Sequence, residues 1–218
     1  MLALLRTSRA LAWAADALGR CASWLFLPMM LVIVYDIVQR KVLTYYPSFQ
    51  SSSLYDFLPS TKLQEGEWHL HAFLFLFCLG FAYVRNGHVR VELVRDHLSP
   101  RTRAWIEVIG CLLFLLPFCL MVIYFGYGQF LRSYAMNEAS SATTGLPWRW
   151  VIRAGMLVGF FFLVVAGVSV LLKHIVYLFG PPELRSQVND FVEVSEIEIL
   201  KKDVEQELSE YEKARRGQ

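Results

Sequence analysis

Between Glu107 and Arg132 the chain runs 24 residues without a formal charge. With a helical rise of about 1.5 Å per residue, about 20 apolar residues cross a hydrocarbon core of about 30 Å. Three more stretches of this character are bracketed by their charges: Arg20 to Arg40, broken only by Asp36; Glu67 to Arg85; and Arg153 to Lys173, continuing apolar to Phe179. Hydrophobic residues make up 56% of the 218 and charged residues 18%, against about 25% charged in a soluble domain. The expected fold is all-α and integral to the membrane. A membrane domain over 20–180 would hold four transmembrane helices at about 21–39, 68–85, 106–131 and 153–176.

The two ends differ from this middle. Residues 1–19 set Leu2, Leu5, Leu11, Trp13 and Leu18 against Arg6, Arg9 and Asp16. A secretory signal would place its positive charge before the apolar run, and here the order is reversed. The segment reads as an interfacial amphipathic helix, or as an early extension of the first span. Residues 181–218 carry 6 Lys/Arg against 10 Asp/Glu, while the preceding 180 carry 15 against 9. After Pro181-Pro182, Ile197, Leu200, Val204, Leu208 and Tyr211 recur at helical spacing among charges. That acidic tail fits either a cytoplasmic amphipathic helix or a solvated, partly disordered segment.

Orientation follows from basic residues near the span ends. Arg85, Arg90, Arg95, Arg101 and Arg103 crowd 19 residues of the second connection, which is expected on the cytoplasmic side together with both termini. Ser99-Pro100 supplies an N-cap and a proline at the first helical position, and Gly145-Leu146-Pro147 breaks the chain before the fourth span. Pro117, inside the third, predicts a kink. The arginines of the second connection also suit lipid headgroups, which accounts for them with less than a nucleic-acid patch would.

Candidate chemistry is sparse. Asp36 is the one acid well inside a span, an intramembrane carboxylate of the kind that marks function. Arg40, four residues on, shares its helix face, so a structural ion pair is expected, with participation in transport as the alternative. Glu65 and Glu67 precede the second span at the positive end of its helix dipole. His69 and His71, two apart on a helix, point about 200° apart and cannot chelate one ion together. No histidine pair sits where two spans would hold a haem, and no nucleophile, phosphate-binding, zinc-protease or nucleic-acid motif occurs. Cys21, Cys78, Cys111 and Cys119 show no C-x-x-C spacing and read as small packing residues. No catalytic residue, metal or cofactor is expected, and the chain is not expected to be an enzyme.

The ordered set of Asp36-x-x-x-Arg40 closing the first span, Glu65 and Trp68 opening the second, Arg85-Asn86-Gly87-His88-Val89-Arg90-Val91 after it, Ser99-Pro100-Arg101, and Gly145-Leu146-Pro147-Trp148 resembles the small permease subunit, DctQ type, of tripartite ATP-independent periplasmic (TRAP) transporters. Residues 64–179 are most similar to the mannitol/chloroaromatic branch. The resemblance, over roughly 15–180, implies a multi-pass protein of the bacterial inner membrane. Its partners would be a large permease subunit, a periplasmic solute-binding protein and membrane lipids, importing organic acids on a sodium or proton gradient. The small subunit would act as a scaffold, with Arg85, Gly87, His88 and Arg90 in an anchoring motif and Pro147 and Trp148 at a periplasmic edge. The 40–67 connection and the tail are longer than that family's pattern. Continuous, nearly uncharged spans without a visible repeat agree with a scaffold, since solute carriers show broken helices and buried charges. The alternative is a non-catalytic anchor or assembly subunit of another complex, such as a four-helix quinone or haem anchor.

Overall fold

The computed structural model describes residues 1–87 and 98–193, among which there are eight α-helices and no strand. They are α1 Leu2–Ser23, α2 Phe26–Tyr45, α3 Ser53–Phe57, α4 Ser60–Val84, α5 Pro100–Gly110, α6 Leu116–Ala135, α7 Trp150–Phe179 and α8 Pro182–Glu193. Four helical segments are long and apolar enough to cross a membrane: 2–45, 60–84, 100–135 and 150–179. The expected all-α, four-helix membrane architecture is what the chain adopts. We call the end carrying residues 46–59 and 136–149 the loop end, and the opposite one, carrying Met1, residue 87 and α8, the terminal end.

The spans form a row. α2 packs on α4, α4 on α7, and α7 on α6, while α1 lies across α4 and α7. α7 is the most buried of the four. Its seam with α4 is set by small residues: Gly159 faces Leu76, and Gly80 faces Phe162 and Ala166. A Cβ on Gly159 would come within 2.8 Å of Leu76 Cβ and 2.9 Å of Leu76 O. Close backbone approach replaces a hydrophobic drive that lipid does not supply.

Two prolines shape the helices. In the first hydrophobic segment the chain breaks at Trp24-Leu25 because Pro28 has no N–H for the Trp24 carbonyl and its ring would strike it. That carbonyl accepts instead from Leu27 N at 3.3 Å, and Leu25 N turns tightly to Ala22 O at 2.9 Å. Around Pro117 the outcome is a π turn, Cys111–Leu115, between α5 and α6. One widened turn just ahead of the proline moves aside the carbonyl its ring would meet, the recognised cause behind many helix bends. At the start of this helix Ser99 caps as its sequence suggests, its Oγ accepting from Thr102 N at 3.3 Å.

α1 and α8 close the terminal end. Leu5, Ala104, Val176, Tyr177, Leu184 and Val188 form one buried cluster there, and Ala15, Val84 and Ala166 another beside it. Pro182 opens α8 at a position where a missing N–H costs nothing. Leu184, Val188 and Phe191, at four- and three-residue spacing, turn its apolar stripe onto the end of α7. The tail pattern from Ile197 to Tyr211 lies outside the described residues.

Candidate functional site

At the loop end, α2 turns Asp36 and Gln39 toward the start of α4, and both are only 2% exposed. Arg40, one turn on, donates to Asp36 Oδ2, and Ser60 Oγ donates to Oδ1 at 2.5 Å. Gln39 Nε2 donates to the Leu58 carbonyl at 3.0 Å. Arg40 is 52% exposed, so one end of the pair reaches the surface of the chain. With a donor on each carboxylate oxygen, Asp36 is held as a charged staple between α2 and the segment that enters α4.

A second staple holds the 136–149 loop. Asn137 ends α6 in the left-handed conformation, φ 47°, while Glu138 N reaches back to Ser133 O at 3.0 Å and Asn137 N to Tyr134 O at 3.1 Å. This paired closure suits asparagine, which tolerates positive φ. It delivers Glu138 to Arg153, 2.8 Å away, with Arg149 at 4.0 Å. From α4, Glu65 accepts from Ser140 Oγ on one oxygen and from Leu146 N at 2.6 Å on the other. Pro147 and Trp148 follow that anchored amide. Trp148 is 57% exposed and takes φ 62°, a conformation that costs a bulky residue about 1–3 kcal/mol unless its surroundings hold it there. Arg149 N donating to Glu138 O at 2.9 Å does part of this. Glu65, Trp68, His69 and Arg149 border a small cavity of 240 Å³.

At the terminal end Arg85 stacks its guanidinium over Phe81, 4.6 Å from the ring centre, and its Nε donates to Asp16 Oδ1 at 2.7 Å. Arg20 holds the other Asp16 oxygen at 2.5 Å. Asn86, φ 57°, closes α4 with the motif used at Asn137: Gly87 N donates to Ala82 O at 2.8 Å. Asn86 Nδ2 then donates to the Phe191 carbonyl at 3.1 Å, Lys173 Nζ sits 3.9 Å over the Phe191 ring, and Arg9 donates to Gln187 Oε1 at 2.7 Å. α8 is thereby latched to α1, α4 and α7. His88 and Arg90 lie outside the described residues.

The sequence-derived residues thus fall into separate groups: Asp36 with Arg40; Glu65 with the Pro147-Trp148 loop and Trp68 nearby; and Arg85 with Gly87 at the far end. Their partners Ser60, Ser140 and Glu138 went unnoticed in the sequence, as did Ser8 and Ser169, because nothing local marks them. Asp16 was legible only as part of a polar face. The apolar spacing of Leu184, Val188 and Phe191 was the available sign of α8.

Among the described residues no three His, Cys, Asp or Glu side chains group as metal ligands. Among the described residues the buried polar side chains are Ser8, Asp36, Gln39, Ser133, Ser169 and His174. This is a multi-pass membrane protein whose polar groups fasten helices and loops to one another. Residues 29–176, more than half of the chain, match the profile of DctQ, the DctQ component of tripartite ATP-independent periplasmic transporters, and the chain belongs to this family. Comparison with curated proteins and with solved structures gave no match.

Proposed function

We propose that this chain is the scaffold of a TRAP-type importer in the bacterial inner membrane. It holds the large permease subunit in place while that subunit, supplied by a periplasmic binding protein, takes up organic acids on a sodium or proton gradient. Membership of the DctQ family over residues 29–176 carries the reading. The arrangement supports it: spans in a row give a broad, shallow wall, and staples at both ends stiffen it. In this reading both termini and the 85–103 connection are cytoplasmic, and residues 1–19 lie along the inner interface. Asp36, Arg40, Glu65, Trp68, Arg85, Gly87, His88, Arg90, Pro147 and Trp148 serve structure or subunit contact. The resemblance to the mannitol/chloroaromatic branch is the guide to the solute class to try first.

The test is reconstitution. The purified single chain should give no gradient-driven uptake into vesicles, whereas the chain with its large subunit and binding protein should. Robust uptake by the single chain, or failure of the large subunit to co-purify with it, overturns the proposal.

A further inference from the structure

Each outer helix of the row leaves a groove against its neighbour, and the two grooves differ in chemistry. The one between α6 and α7 encloses 1110 Å³ and is walled by residues such as Leu120, Tyr124, Leu157 and Phe161. Arg132 is its charged member, and its Nε already donates to Gly128 O at 3.2 Å. Apart from Arg132, which stands near the loop end of α6, its aliphatic and aromatic walls are a surface that acyl chains cover readily.

The groove between α2 and α4, of 620 Å³, has an apolar floor that includes Met29, Ile33 and Phe75, yet Gln64, Glu67 and His71 border it as well. These three recur at three- and four-residue spacing and so form one stripe down α4. Glu67 lies within electrostatic reach of Asp36 and Arg40. Arg40 is committed to Asp36, and Glu67 has no hydrogen bond or ion pair among the described residues. His71, one turn further along toward the middle of the row, is exposed. Glu67 stands at the mouth of the expected span, and the imidazole of His71 a turn inside it is poorly served by acyl chains, whereas polar side chains on membrane helices are satisfied by neighbouring helices.

We infer that the α2/α4 groove, with Glu67 on its wall, receives a membrane helix of the large permease subunit, an apolar helix with a basic or hydrogen-bond-donating side chain placed to meet Glu67. The inference rests on the scaffold reading and names the face it uses. A trough between two helices is the shape a third packs into, and the Glu67 carboxylate sets the depth at which the partner's donor sits. The larger α6/α7 groove is left to lipid.

The experiment uses the complex of both membrane subunits in cells. A photoreactive phenylalanine replaces Phe75 in one version and Phe161 in the other, and adducts are identified by mass. Position 75 should capture the large subunit and position 161 should capture lipid. Glu67→Lys should lower recovery of the large subunit about tenfold at unchanged membrane abundance of this chain, while Glu67→Gln, which still accepts a hydrogen bond, should retain most of it. Capture of lipid at position 75, capture of the large subunit at position 161 in its place, or full recovery with Glu67→Lys overturns the inference. Absence of the large subunit from the unmodified preparation would instead overturn the scaffold reading beneath it.

Discussion

Ser8 and Ser169 clasp each other across the interface of α1 and α7: each hydroxyl donates to the other residue's backbone carbonyl at 2.8 Å, and the two oxygens stand 3.3 Å apart. Both side chains are fully buried. Each bond is worth about 1 kcal/mol, so Ser8→Ala and Ser169→Ala should each lower thermal stability in detergent modestly. The double change should cost less than the sum of the two, because either single change already removes the contact between the hydroxyls. Strict additivity would show that the clasp does not act as a unit.

Glu65 should control the mobility of the 138–147 loop. Glu65→Ala removes the acceptor of the Leu146 amide and of the Ser140 hydroxyl. A hydrogen bond to a charged acceptor is worth about 1.5–3 kcal/mol, so exchange of the Leu146 amide should speed by about tenfold to a hundredfold. Unchanged exchange would mean that the loop is held by Glu138 and Arg153 alone.

For the buried carboxylate of α2, the order of two variants is diagnostic. Asp36→Asn keeps an acceptor oxygen for Arg40 and turns its amide N–H toward the Ser60 hydroxyl, which can accept, whereas Asp36→Leu leaves both without a partner. If the group is a staple, the asparagine variant transports close to normally and the leucine variant accumulates poorly. Loss of coupling in the asparagine variant, with the complex intact, would make Asp36 part of the transport chemistry.

Glycines along the row should respond oppositely to substitution. Gly159→Val drives a side chain into Leu76 and should cost about 1–3 kcal/mol or more. Gly128, where an added Cβ meets nothing within 4 Å, should accept alanine with a gain of up to about 1 kcal/mol. Melting temperatures of the two variants in one detergent decide the comparison.

The orientation is open to chemical labelling in intact cells. A cysteine introduced at Ser52 or Ser141 should react with an impermeant thiol reagent, and one at Ser99 should not. Reaction at position 99 would invert the arrangement.

Much of this architecture could be read from the chain because lipid imposes a length and a polarity on every crossing segment, and a 24-residue uncharged run admits few alternatives. The Asp36–Arg40 pair was readable for the same reason, being one helical turn apart. Contacts that join distant segments left no such trace. Ser169 is an ordinary polar residue in an apolar run until α1 comes alongside, and Glu65 reaches a serine 75 positions away. Pro28 did carry the break at Trp24-Leu25 in the sequence, but inside a long apolar run its effect is outweighed by the count of hydrophobic residues. The left-handed turn at Trp148 has no local cause at all, since the loop's anchors at Glu65 and Glu138 impose it.

The cluster of Leu5, Val176, Tyr177, Leu184 and Val188 has a thermodynamic consequence. α7, with 30 residues, is about 45 Å long and outreaches the hydrocarbon by about 15 Å. The segments that gather around its far end bring Arg6, Arg9, Arg101, Arg103 and Arg185 with them, charges that hydrocarbon does not readily admit. If this end stands outside the hydrocarbon, as the proposed topology has it, that small core is built by the hydrophobic effect proper, which the spans inside lipid do not enjoy. It therefore carries a positive heat-capacity change on opening and yields to urea and to cold, while the row of spans beneath it responds instead to the detergent or lipid around it. On that topology one chain contains two cores obeying different solvents, and calorimetry in stiff and soft detergents should find one transition that moves with the detergent and one that does not.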